Sequence, residues 1–326
     1  MRCTNKVRFI GYLLACALVC TSCGTGEIPL SYHENTAVNH LGLISGLTMA
    51  KAEGFSGDLC IVSEDITEHA DAFEEKSGAA GLFDISNGEA IYARNVHEKM
   101  YPASLTKIMT ALVALENGSL NQVLTCSKPI YFKESKVQIC GITAGDSMTL
   151  NQALRILMLH SANDAAVLIA ENIGGSVEEF VDMMNKKAIE IGATNTHFVN
   201  PHGLNHVEHY TTAYDLYLMF NEAIKYDVFT EIINMTSYQT EYYNKSGGVK
   251  NFNKSTTNLY LRGERTAPGG VTVVGGKTGT TNAAGHSLIL LSRDVSGNPY
   301  ISVVLRAPNS DSLYGEMKDL LEEIVN

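Results

Sequence analysis

The sequence predicts an α/β protein in which strands from both ends of the chain flank a mainly helical middle. Three observations carry that expectation. A hairpin pattern lies at residues 79–93, three apolar strand-like runs lie between residues 271 and 305, and segments with helical apolar periodicity come between them. The sheet is therefore expected to draw on N- and C-terminal pieces, with the helical part at about residues 115–230.

The elements follow in chain order. Asp58–Val62 is a short candidate strand. Ala79–Ile85, Asn87-Gly88 and Ala90–Ala93 read as two runs around an Asn-Gly turn. Pro102 suits the first position of a helix and Gly118 its stop. Thr149 opens a second helix, NQALRILMLH. Ser176-Val177-Glu178-Glu179 has the form of a capping box, and behind it Phe180, Met183, Met184, Ala188 and Ile191 share one face up to Gly192. Thr211 or Thr212 starts a helix that runs through Ile224. Val271–Val274, His286–Ser292 and Tyr300–Leu305 read as strands, with a turn at Asp294–Pro299, and Ser310–Val325 as a closing amphipathic helix. There is no internal repeat and no low-complexity tract.

The chain has 326 residues, 45% of them hydrophobic, and a formal net charge of -11. That length supports one large domain or two modest ones, and the composition is that of a globular protein. So acidic a chain is a poor partner for nucleic acid.

The N-terminus reads as a targeting segment. Arg2, Lys6 and Arg8 precede the apolar run FIGYLLACALVC at residues 9–20. This is short for a membrane span, which needs about 20 residues, and suits a signal peptide. Thr21-Ser22-Cys23 resembles a lipoprotein cleavage site, with Cys16 a second candidate; an ordinary cleaved signal or a short anchor are the alternatives. Each places the body of the protein outside the cytoplasm. Residues 1–23 are thus a signal with a candidate lipobox, 24–76 a tether or loosely packed lead-in, and 77–326 the main domain. Beyond the leader lie Cys60, Cys126 and Cys140, which are three separate thiols or include a Cys126–Cys140 disulfide.

The chemistry begins in YPASLTKIMTALVALENG, residues 101–118. Ser104 and Lys107 stand three apart at the front of an apolar helix, on one face. A serine hydroxyl is a weak nucleophile until a base takes its proton. A lysine can be that base once burial or nearby cations lower its proton affinity. A polar triplet, Ser161-Ala162-Asn163, interrupts two apolar helical runs, which is costly unless it is hydrogen-bonded or lines a cleft. Lys277-Thr278-Gly279 follows an apolar strand and Gly275-Gly276, where a backbone or ligand is expected to approach closely. Each motif alone is common; the three in this order are specific.

Together with AGDSMTLNQALRILMLHSANDAAVLIAE, GATNTHFVNPHGL, HYTTAYDL and GGKTGTTNAAGHSL, these motifs resemble the D-alanyl-D-alanine carboxypeptidases, the low-molecular-mass penicillin-binding proteins. The likeness runs from about Ala79 to the C-terminus. It implies a β-lactamase/transpeptidase-like fold, an antiparallel sheet flanked by helices with a mainly helical inserted subdomain. It also implies that Ser104 attacks the carbonyl between two D-alanines of a peptidoglycan stem peptide, with Lys107 as general base. Ser161 would pass a proton to the leaving nitrogen, and Asn163 would hold the acyl chain or Lys107. Lys277 and Thr278 would attract the substrate carboxylate, Gly279 would permit close approach, and the N–H groups of Ser104 and Thr280 would form the oxyanion hole. β-Lactam antibiotics would acylate Ser104. No metal or cofactor is implied, and a membrane contact would come through the N-terminal signal or lipid anchor.

The middle motif has alanine at its second position, and Arg306 in VVLRAPN stands where the family more usually has a small residue; a strand-end charge is expected there. Many relatives carry a β-rich C-terminal domain and anchor, whereas this sequence closes at Asn326, so an anchor is expected at the N-terminus. Competing functions are a DD-endopeptidase using the same motifs, a β-lactamase and a non-catalytic β-lactam sensor. No Glu-x-x-Leu-Asn segment lies between Asn163 and Lys277 to activate water as in class A β-lactamases. His197, His202, His206 and His209 sit in a Pro- and Gly-containing loop near the cleft, not on a metal-binding helix.

Overall fold

A computed structural model of the protein describes residues 59–67 and 77–325. The leader with Cys16 and Cys23, and most of the lead-in, lie outside the described residues. Part of that lead-in is not a loose tether: Cys60 is fully buried, its N–H donates to the Tyr217 hydroxyl at 2.9 Å, and its carbonyl accepts from Tyr214. Leu59–Val62 forms no strand; a single antiparallel bridge joins Ile66 to Ala93. Burial of two small apolar side chains, Cys60 and Val62, docks the segment without periodicity to announce it.

The hairpin forms as β1 (Ala79–Asp84) and β2 (Glu89–Arg94). The Asp84 carboxylate accepts from the N–H groups of Ser86 and Asn87 and closes the turn, where Gly88 takes φ +69°. A 3₁₀ turn at Ala103–Leu105 leads into α1 (Thr106–Asn117), which stops at Gly118. Next come β3 (Val123–Thr125) and β4 (Ser147–Thr149). The helices α2 (Leu150–Leu159), α3 (Asn163–Ile173), α4 (Val177–Glu190) and α5 (Ala213–Ala223) follow. Thr149 and Gln152 form a full capping box at α2. Ser176 caps α4 by accepting from Glu179 N–H, which is half of the box expected there, and Thr212 caps α5. The chain continues through α6 (Asp227–Asn234), β5 (Ser237–Tyr243), β6 (Val249–Ser255), β7 (Thr272–Thr281), β8 (Gly285–Arg293), β9 (Pro299–Ala307) and α7 (Ser310–Glu322).

Five strands make one antiparallel sheet in the order β2-β1-β9-β8-β7, so the N-terminal hairpin joins the C-terminal strands through β1 and β9. Its faces are both apolar. Phe83, Ile289, Leu291, Ile301 and Val303 point into the large core shared with α1–α5. Leu82, Leu288, Leu290 and Val304 alternate to the other face and pack on Leu313, Met317, Leu320 and Leu321 of α7. A four-stranded sheet, β3-β4-β5-β6, accompanies the helical part: three-residue β3 and β4 lie within residues 115–230, and β5 and β6 lie beyond it. β3 and β4 are too short to show a period, and β5 and β6 bury only Tyr242 and Phe252.

Candidate active site

The nucleophile candidate is held at a junction of three elements. Ser104 sits in the 3₁₀ turn that precedes α1, where residues three apart eclipse, so Lys107 in the first α-helical turn lies directly behind it. Lys107 Nζ donates to Ser104 Oγ at 3.0 Å, to Asn163 Oδ1 at 2.6 Å and to the His202 carbonyl at 2.6 Å. All three ammonium donors are used, and every acceptor is neutral. The side chain is fully buried. Burial, reinforced by the charge of Lys277 and opposed by Asp164, holds its proton affinity well below that of an ordinary lysine. This is the setting the sequence predicts for a lysine acting as a base.

Ser161 and Asn163 reach the site because they belong to the break between α2 and α3. Ser161 takes φ +63°, a left-handed conformation uncommon for serine, and Asn163 opens α3. Asp164, the next residue, accepts from the N–H groups of Cys140, Gly141 and Ile142 and so fixes the loop carrying Gln138. Cys60, Cys126 and Cys140 are free thiols.

Lys277, Thr278, Gly279 and Thr280 lie within β7, which extends seven residues past the strand end expected at Val274. Lys277 Nζ donates to Ser161 Oγ at 3.1 Å and to the Thr278 carbonyl at 2.8 Å, and burial lowers its proton affinity to about 7. Close approach requires glycine at Gly275 and leaves little room beside Gly279. A Cβ on Gly275 would lie 2.2 Å from the Ile233 carbonyl oxygen, and one on Gly279 3.2 Å from Ser104 N. Strand β7 therefore runs against the nucleophile turn. Among the described residues these groups surround a cleft of about 290 Å³ lined by Ser104, Ser161, Thr257, Thr278, Thr280 and Tyr314.

Several positions were not singled out by the motifs. Thr257 shares a 2.6 Å hydrogen bond with Thr278, hydroxyl to hydroxyl. Thr110 Oγ1 donates to the Pro201 carbonyl, which seats the loop whose His202 carbonyl receives Lys107. Gly203 takes φ +90°, and a Cβ there would meet the Ala103 carbonyl oxygen, so the loop presses on the nucleophile turn itself. The histidines serve this wall. His209 Nδ1 accepts from Val199 N–H, which leaves Nε2 to donate to Thr106 Oγ1 at 2.8 Å. Burial pushes both His202 and His209 down to about 3, so both stay neutral.

A family model described as D-alanyl-D-alanine carboxypeptidase matches residues 65–309. The chain belongs to this family. It is 37% identical over 221 residues to the D-alanyl-D-alanine carboxypeptidase DacF of Bacillus subtilis, covering 67% of this chain and 54% of that protein. It is 30% identical over 255 residues to DacA of Haemophilus influenzae, covering 74% of this chain and 60% of the relative. The chain thus spans a little over half the length of these curated relatives. A D-alanyl-D-alanine endopeptidase of Pseudomonas aeruginosa is 30% identical over 245 residues, 72% of each chain. The crystal structure of the Streptomyces K15 DD-transpeptidase superposes with a TM-score of 0.67 at 25% identity, over 77% of this chain and 96% of that one. The fold is the transpeptidase-like arrangement the motifs imply.

Proposed function

We propose that the chain is a serine D-Ala-D-Ala carboxypeptidase that removes the terminal D-alanine from peptidoglycan stem peptides. The observation that carries this reading is the contact of Ser104 Oγ with Lys107 Nζ at 3.0 Å, made by a buried lysine whose three hydrogen-bond acceptors are neutral oxygens. In its neutral form Lys107 accepts the Ser104 proton as Oγ bonds to the scissile carbonyl carbon. Negative charge gathers on the carbonyl oxygen, beside the N–H groups of Ser104 and Thr280. One such donor can contribute about 3 kcal/mol to the transition state. Ser161, hydrogen-bonded to Lys277, relays to the departing amine nitrogen the proton that Lys107 took from Ser104, which leaves Lys107 neutral again. The C–N bond breaks, D-alanine leaves and Ser104 carries the acyl group until water releases it. Lys277 and Thr278 hold the terminal carboxylate, with Thr257 orienting the Thr278 hydroxyl. Asn163 fixes Lys107 by accepting from it at 2.6 Å.

The same steps make Ser104 the target of β-lactams, whose amide mimics the scissile bond. The substrate is a wall polymer, and the N-terminal segment has the form of an export signal or lipid anchor, so the protein acts outside the cytoplasm. Among the described residues no helix is long and apolar enough to cross a membrane.

The test is release of free D-alanine from a peptide ending in D-Ala-D-Ala, with Ser104→Ala alongside. Release that needs Ser104 is the expected result. A folded protein that binds penicillin but releases nothing from this peptide, and instead cuts a cross-linked one, would replace this reading with the endopeptidase activity named for the Pseudomonas relative.

A further inference from the structure

A second cavity, of about 450 Å³, adjoins the nucleophile turn. Tyr101, three residues before Ser104, forms part of its wall, and so do Ala283 and Ala284 in the turn that follows β7. Its charged lining residues are Lys99 and Arg306; no carboxylate lines it. Lys99 Nζ lies 4.3 Å from the centroid of the Tyr210 ring, which holds the ammonium at the rim. Among the described residues neither cation has an ion-pair partner. Both residues are exposed, and in a chain of net charge -11 they give this cavity a local positive field that suits an anion.

The backbone at Arg306 is a second, independent observation. The β8–β9 register passes from His286 opposite Ala307 to Leu288 opposite Val304, so Leu305 and Arg306 together face Ser287. Such a bulge re-aims a side chain. Arg306 adopts φ +61°, where a glycine would sit without strain. Strain of this kind persists where the surrounding structure holds it, and it concentrates at binding and catalytic sites.

We infer that this cavity is an anion subsite for the acyl-donor peptide: Lys99 and Arg306 receive a side-chain carboxylate carried by a residue upstream of the scissile bond. The inference rests on the proposed function, which sets the direction of the bound chain. With the terminal carboxylate at Lys277 and Thr278, a peptide along β7 runs past Thr280 and Thr281 toward Ala283 and Ala284. From Thr278 to Ala283 is at most about 17 Å of extended chain, within reach of a side chain a few residues upstream. Tyr101 and Tyr210 supply the apolar surface beside the two charges, on which the aliphatic part of such a side chain packs.

The experiment compares two peptides with the same D-Ala-D-Ala end, one bearing an upstream carboxylate and the other its amide. For the unaltered protein at low salt, kcat/KM is expected to favour the acid by about tenfold, the scale of one charge-assisted contact. The preference shrinks as salt screens the charges. In the double variant Lys99→Gln, Arg306→Gly the ratio falls to about one. Glycine suits the backbone at 306, and the single variant Arg306→Gly, read by the same ratio, serves if the double variant does not fold. A ratio near one in the unaltered protein, or an unchanged preference in the variants, overturns the subsite and leaves the function standing. Release of D-alanine from neither peptide overturns the function and the subsite with it.

Discussion

Two buried lysines lie behind one cleft, each bonded to a serine that lines it, and they are held differently. Lys107, on α1, donates to three neutral oxygens and has no spare donor. Lys277, on β7, donates to Ser161 Oγ and the Thr278 carbonyl beside a cleft that an anion can enter. Burial lowers the proton affinity of both, and the charge of Lys277 lowers that of Lys107 further. The difference teaches how one residue type can supply both a base and an anion receptor at one cleft. A carboxylate arriving at Lys277 favours the charged form of that lysine.

The sharpest way to break this contrast is to remove the base. Lys107→Ala should retain the fold and lose acylation by β-lactam about a thousandfold or more, measured by stopped-flow labelling. Lys107→Arg should not rescue it, because a guanidinium does not give up its proton. Acylation at the normal rate in either variant would remove Lys107 from the role. Lys277→Ala should cost about a hundredfold in kcat/KM for a D-Ala-D-Ala peptide. The unaltered protein should show a similar loss when the peptide's terminal carboxylate is amidated, with little further loss when both changes are combined. Additive losses would separate Lys277 from the carboxylate.

Smaller effects sharpen the picture. Lys277 is charged in the unfolded chain up to about pH 10.5 but in the folded protein only up to about pH 7. Between those values the unfolded state binds more protons, so this lysine makes stability rise with pH. Lys277→Met should therefore raise the melting temperature most below pH 7, with the gain fading toward pH 10.5. A gain independent of pH would contradict the assigned shift. Gly203→Ala places a Cβ against the Ala103 carbonyl and should cost about 1–3 kcal/mol in denaturant unfolding while also slowing acylation. Thr257→Val should slow peptide turnover only severalfold, the worth of one hydrogen bond to Thr278, with no change in melting temperature beyond about 2 °C.

The large sheet was legible because its strands are long, apolar and set off by turns. The hairpin around Asn87-Gly88 and the Asp294–Pro299 turn appear where the residues place them. The four-stranded sheet was not legible, since SYQTEYY and VKNFNKS each bury a single residue, and the alternation in SYQTEYY is of half-buried Tyr and Thr, not an apolar stripe. Ser104, Lys107, Ser161, Asn163, Lys277, Thr278, Gly279 and Thr280 were readable as residue types at fixed order, and the fold brings them together around one cleft or directly behind it. What supports them was hidden, because it works through backbone carbonyls. Nothing in the identity of His202 or Pro201 says that their C=O groups receive Lys107 and Thr110. Thr257 likewise became visible only when β7 brought Thr278 to it.

The most direct test of the account is to treat the protein with a β-lactam, digest it and locate the adduct by mass spectrometry. The account predicts a single acyl group on the peptide containing Ser104, absent in Ser104→Ala. An adduct on Ser161 or another hydroxyl, or labelling that survives Ser104→Ala, would contradict it.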